Sequence, residues 1–159
     1  MQHLGSTVRL AVASVLTGAG LLASAPAWSA APRDGYVEIL VTESFDAGSG
    51  TFQASGGGLC RSGTTALLSQ QTTERRNMFT FEVDKAFTCN DGSGTFVVHI
   101  RAHWSPCDPA DRGTWSVVSG TGRYADLSGR GQLVGTYYPG PCDEAVGIVD
   151  AMRGMVAVG

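Results

Sequence analysis

Residues 78–104 read Met-Phe-Thr-Phe-Glu-Val-Asp-Lys-Ala-Phe-Thr-Cys-Asn-Asp-Gly-Ser-Gly-Thr-Phe-Val-Val-His-Ile-Arg-Ala-His-Trp. Two long runs of alternating character flank Cys89-Asn90-Asp91-Gly92-Ser93-Gly94, whose residue types favour a tight turn, so the stretch reads as a β-hairpin. Pairing Cys89 with Gly94 fixes the register outward. Phe87 then meets Phe96, Val83 meets Ile100, Phe81 meets Ala102 and Phe79 meets Trp104, all on one face. Lys85, opposite Val98, is the only polar residue of that face. The other face places Asp84 opposite His99, Glu82 opposite Arg101 and Thr80 opposite His103. Complementary cross-strand pairs of this kind contribute about 0.2–1 kcal/mol each. The turn sets the register and the charges then agree with it.

The rest of the chain follows the same period. Runs rich in Val, Ile, Thr, Phe and Tyr alternate with glycine-rich breaks, and no segment repeats apolar residues at helical spacing over three turns. Expected strands are 35–45, 51–54, 64–73, 78–89, 94–104, 114–119, 132–138 and 145–158. About eight antiparallel strands with short connections predict an all-β fold, a sandwich or a closed barrel. Phe45-Asp46-Ala47-Gly48-Ser49-Gly50-Thr51-Phe52 echoes residues 89–96 through the shared Gly-Ser-Gly-Thr-Phe. The flanks do not match, which points to one good turn used twice rather than to a duplication.

Upstream, residues 1–27 hold Arg9, an apolar run over 10–23 and the small-residue segment Ala25-Pro26-Ala27. That is the layout of a signal peptide whose helix is cleaved near Ala27. The run is too short for the roughly 20 residues a membrane helix needs. The expected product is one domain over 28–159, secreted, with no membrane span in its mature form. It carries ten basic and fourteen acidic residues, net −4 with neutral histidines, and no basic run beyond Arg75-Arg76. Nothing there attracts nucleic acid.

All four cysteines fall in the exported part, where two disulfides are expected. Four cysteines allow three connectivities. Cys60–Cys89 with Cys107–Cys142 is preferred, because Cys107 and Cys142 share Pro/Asp-rich surroundings that suggest adjacent loops. A zinc site is the alternative, but no pair shows the close spacing such sites use. No metal and no cofactor is expected.

Residues 115–131 read Trp-Ser-Val-Val-Ser-Gly-Thr-Gly-Arg-Tyr-Ala-Asp-Leu-Ser-Gly-Arg-Gly, a strand, one turn and a strand. Gly120, Thr121, Gly122, Tyr124 and Gly129 resemble the Gly-Gly-Thr-Gly-x-Tyr/Phe-x-x-x-x-Gly signature of the allene oxide cyclase and dirigent barrels, with Ser119 in place of the first glycine. The likeness covers about a ninth of the chain. It implies an eight-stranded antiparallel barrel, often trimeric, with a largely apolar cavity, and the matched residues are structural. No equivalents of the plant enzymes' catalytic residues are found. The same glycines fit a dinucleotide fingerprint, but that fingerprint needs a long helix where Gly129 and a strand follow.

His99 and His103, four apart on a strand, stand about 13 Å apart and do not share a metal. Glu82 and Asp84, about 7 Å apart on one strand face, have a separation open to paired acid–base work. An arginine opposite Glu82 keeps it ionised, which suits a structural ladder better. If the polar face points inward, Glu82, Asp84, His99 and Arg101 line a ligand cavity; the aromatic face makes the better core. Asp108, Asp111 and Arg112 read as a solvated loop, without the spacing of an EF-hand. No nucleophile elbow occurs. The expected function is the binding of a small apolar or amphipathic ligand. The alternatives are an isomerase or cyclase, and an extracellular structural or protein-interaction module with a filled barrel.

Overall fold

The computed structural model describes residues 35–139 and 145–159. The expected signal segment, residues 1–27, lies outside them, as does Cys142. The described chain forms eight strands: β1 Gly35–Ser44, β2 Ser49–Gly56, β3 Ser62–Arg75, β4 Met78–Cys89, β5 Thr95–Trp104, β6 Ala110–Gly120, β7 Ser128–Tyr138 and β8 Gly147–Ala157. Each pairs antiparallel with the next, and β8 pairs with β1, closing an up-and-down barrel. Closure removes the sheet edges that an open eight-stranded sheet would leave. Among the described residues no helix is long and apolar enough to cross a membrane.

The hairpin of β4 and β5 has the register its turn dictates, with Phe87 opposite Phe96, Asp84 opposite His99, Glu82 opposite Arg101 and Phe79 opposite Trp104. Burial orients its faces. Phe87, Phe96, Val98, Ile100 and Ala102 are buried inside the barrel, while Glu82 and Arg101 are exposed on its outer wall. There Asp84 Oδ1 lies 2.8 Å from His99 Nδ1, Thr80 Oγ1 3.0 Å from His103 Nδ1, and Glu82 Oε1 3.6 Å from Arg101 Nε.

The barrel has one packed end and one open end. At the packed end the rings of Phe87 and Phe96 stack at 4.9 Å, and Phe52 meets both edge-on at 5.2 and 6.1 Å. Such ring pairs contribute about 0.5–1.5 kcal/mol beyond their buried area. The echoed turns sit at opposite ends, yet both bring their phenylalanine, Phe52 or Phe96, into this one cluster. Cys60–Cys89 is a disulfide here, tying the connection just ahead of β3 to the end of β4.

The glycine motif plugs the same end. Between β6 and β7 lies a single 3-10 turn, Gly122–Tyr124, the strand–turn–strand order read from the sequence. Gly122 has φ +60°, a conformation that costs other residues strain. It lets the chain fold back so that Tyr124 enters the core fully buried, its ring 5.5 Å from Phe96 and its hydroxyl 3.2 Å from Ser93 Oγ.

Strand lengths differ around the wall. β2 pairs with β3 only as far as Ser49 opposite Ala66, whereas β3 runs on to Arg75 paired with β4 alone. A bulge between Leu67 and Ser69 lies where the two-sided pairing stops. Part of one expected loop is a strand instead. Asp108 lies in an exposed loop, but Asp111 and Arg112 belong to β6, with Asp111 opposite Gly135 and buried rather than solvated. The proline-flanked turn before it ends earlier than its composition suggests, because β7 is long enough to pair with Ala110 and Asp111.

Candidate functional site

Above the packed layer the open end encloses a cavity of about 630 Å³. Its walls are apolar: Phe81 and Val83 of β4, Ile100 and Ala102 of β5, Leu133 of β7 and Ile148 of β8. Round the mouth five rings follow one another in contact. Phe81 lies 6.5 Å from Phe79, Phe79 5.6 Å from Trp104, Trp104 5.6 Å from Tyr137, and Tyr137 6.3 Å from Phe45. Trp104 is held by its Nε1, which donates to the Asp108 carbonyl at 3.0 Å.

Four charged side chains enter this apolar space, each at an inward-facing strand position. Glu43 is the last inward residue of β1 after Val37, Ile39 and Val41, and Asp150 alternates inward with Ile148 and Met152 on β8. Lys85 is the polar exception on the aromatic face of β4. Its Nζ donates to Glu43 Oε2 at 2.6 Å and to Asp150 Oδ2 at 3.3 Å, and the Thr65 hydroxyl donates to Glu43 Oε1 at 2.9 Å. Burying an ammonium is costly unless carboxylates meet it, and here two do.

Asp111 completes the cluster from β6. Its Oδ1 accepts from the Gly135 N–H and its Oδ2 from the Tyr137 hydroxyl, both at 3.0 Å. On the ladder Gly135 stands between Asp111 and Asp150, one on each neighbouring strand. A side chain there would collide with Oδ1 of both acids, so the glycine is what lets the two carboxyls converge. One ammonium therefore faces three carboxyls. Burial pushes the Asp111 carboxyl up to about 6, with the Asp150 charge adding to the rise. Burial also raises Asp150, against the pull of Lys85. The Tyr137 hydroxyl is raised by burial and then by Asp111, so it stays a neutral donor.

The residues expected at a site are placed elsewhere. Glu82, Asp84, His99 and Arg101 come together as outer-wall pairs, outside the cavity. Their pairing holds the Asp84 carboxyl below its ordinary value, first through its hydrogen bond with His99. Cys60 and Cys89 lie near Asp91, but their sulfurs are joined to each other. The expected Cys107–Cys142 bridge depends on a residue outside the described ones. Reading the sequence missed Glu43, Asp111 and Asp150. The available signal was a charge at a core-parity position of an alternating strand, as at Lys85.

In comparisons with known proteins, no family model, no curated protein and no solved structure matches this chain.

Proposed function

We propose that this chain is a secreted barrel that holds one small, largely apolar molecule in its open end. The observation that carries this reading is the cavity itself, about 630 Å³ with aliphatic and aromatic walls and a few converging polar groups. Ligand sites commonly span roughly 300–1,000 Å³ with that lining. The disulfide at the packed end is in keeping with export, and the glycine motif with the allene oxide cyclase and dirigent barrels.

Native mass spectrometry of the secreted protein, before and after organic extraction, tests the reading. An extractable bound molecule supports it. A clean apo mass, with no uptake of added apolar compounds, overturns it and favours the interaction module. The same spectra count subunits and so test the trimer that the resemblance implies.

A second reading, an isomerase or cyclase, draws on Asp111. A carboxyl raised by burial to about 6, beside a second acid in an apolar-walled cavity, is suited to general acid–base work. In this reading the paired groups are Asp111 and Asp150, not Glu82 and Asp84.

A further inference from the structure

Within the cavity cluster nearly every carboxyl oxygen has a protein partner. Glu43 accepts from Thr65 and Lys85, Asp111 from Gly135 and Tyr137, and Asp150 Oδ2 from Lys85. Asp150 Oδ1 has no hydrogen-bond partner among the described residues, although the residue is only 4% exposed. It is not sealed away, because no fully buried side-chain oxygen or nitrogen lacks a partner among the described residues. Asp150 lines the cavity, so its free oxygen faces the cavity space. Beside it, over Gly135, lies Asp111 Oδ1, which keeps room for a second acceptance.

The charges point the same way. Among the described residues the charged ones lining the cavity are Glu43, Lys85, Asp111 and Asp150, and the Lys85 ammonium is already engaged by two of the three carboxyls. A carboxylate or phosphate ligand would meet excess negative charge in a low-dielectric space, and a neutral one would leave that charge uncompensated. A cationic donor would supply the missing partner. The ring chain at the mouth adds faces over which a cation is attracted on its way in.

Resting on the ligand-binding reading above, we propose that the cavity selects an amphipathic amine, its ammonium donating to Asp150 Oδ1 and Asp111 Oδ1 over Gly135 and its apolar body lying against Phe81, Val83 and Ile100. The upward displacement of the Asp111 carboxyl is relieved when the cation arrives.

The test is calorimetric titration of the full secreted protein at pH 7.5 with three compounds of equal chain length: decylamine, decanol and decanoate. Decylamine is expected to bind at least about tenfold more tightly than decanol, the scale of one charge-assisted bond, and decanoate no better than decanol. Asp150→Asn is expected to reduce the preference for amine over alcohol to less than about threefold, since the charge-assisted part is removed. Asp111→Asn reports on the same site if the first variant does not fold. Equal binding of amine and alcohol, or a preference for decanoate, overturns the amine assignment and leaves the apolar-ligand reading standing. Binding of none of the three overturns both. A full amine preference in a folded Asp150→Asn or Asp111→Asn protein overturns the placement over Gly135.

Discussion

Lys85 on β4 crosses the barrel interior to Glu43 on β1, 2.6 Å from Nζ to Oε2, joining two strands that share no ladder. Both side chains are largely withdrawn from water, and Asp150 adds a second contact at 3.3 Å. Lys85→Met removes the cation that the described residues bring into the cavity and leaves three carboxyls together. Breaking a buried pair from one side costs about 3–5 kcal/mol. Urea unfolding is expected to show a loss of that size, with part of it recovered when Glu43→Gln and Asp150→Asn are added. Arg101→Ala, which breaks an exposed pair on the outer wall, is expected to shift stability by less than about 1 kcal/mol.

Asp111 makes stability depend on pH in the direction opposite to most carboxyls. Its folded value, about 6, lies above the ordinary 3.8, so the folded state binds more protons between those values than the unfolded chain does. The stabilisation is fully present below about pH 4 and is lost as pH rises through about 6, an effect on the order of 2–3 kcal/mol. Thermal melts of wild type and Asp111→Asn across pH 4–7.5 are expected to diverge in that window. The wild type should lose ground relative to the variant as pH rises. Parallel curves would show that Asp111 titrates normally.

The disulfide Cys60–Cys89 closes a loop of 29 residues in sequence separation. By loop-closure entropy it restricts the unfolded chain by about 3–4 kcal/mol. Cys60→Ala with Cys89→Ala is expected to lower stability by about 2–4 kcal/mol without changing the far-UV dichroism of the barrel. An unchanged denaturation midpoint would contradict this.

Tyr124 separates the two parts of a buried tyrosine. Tyr124→Phe loses only the bond to Ser93 and is expected to cost about 0.5–1.5 kcal/mol. Tyr124→Ala also empties the plug beside Phe96 and is expected to cost about 3–5 kcal/mol. Urea midpoints distinguish the two. Equal losses would mean that the ring carries little of the packing.

How far the sequence could be read depended on what fixed each element. The β4–β5 hairpin was legible residue by residue because its turn sets the register and side-chain parity then follows without further assumption. Which face turns inward was open there: Phe87, Phe96 and Ile100 favour the aromatic face over the charged one, but only burial in the closed barrel decides it. The cavity cluster was not legible. Glu43 and Asp150 end or interrupt apolar alternations, and a lone charge in such a run reads equally well as a strand end. Asp111 was hidden by Pro106, Cys107 and Pro109, which mark a loop by composition but not where the loop stops. Its partner, Gly135, has no side chain to announce the space it leaves. Convergence of β1, β4, β6 and β8 on one point comes from closure of the barrel, which no local pattern encodes.

The unequal heights of β2 and β3 leave a mark that amide hydrogen exchange would trace. From Ser49 opposite Ala66 down to the packed end, β3 has a neighbour on both sides, so its amides are held whichever way they point. From Ser69 to Arg75 only β4 is there, and amides on the other side face solvent. Protection should be continuous in the lower half of one strand and alternate residue by residue in its upper half. The step between the two patterns marks where the wall of the barrel drops.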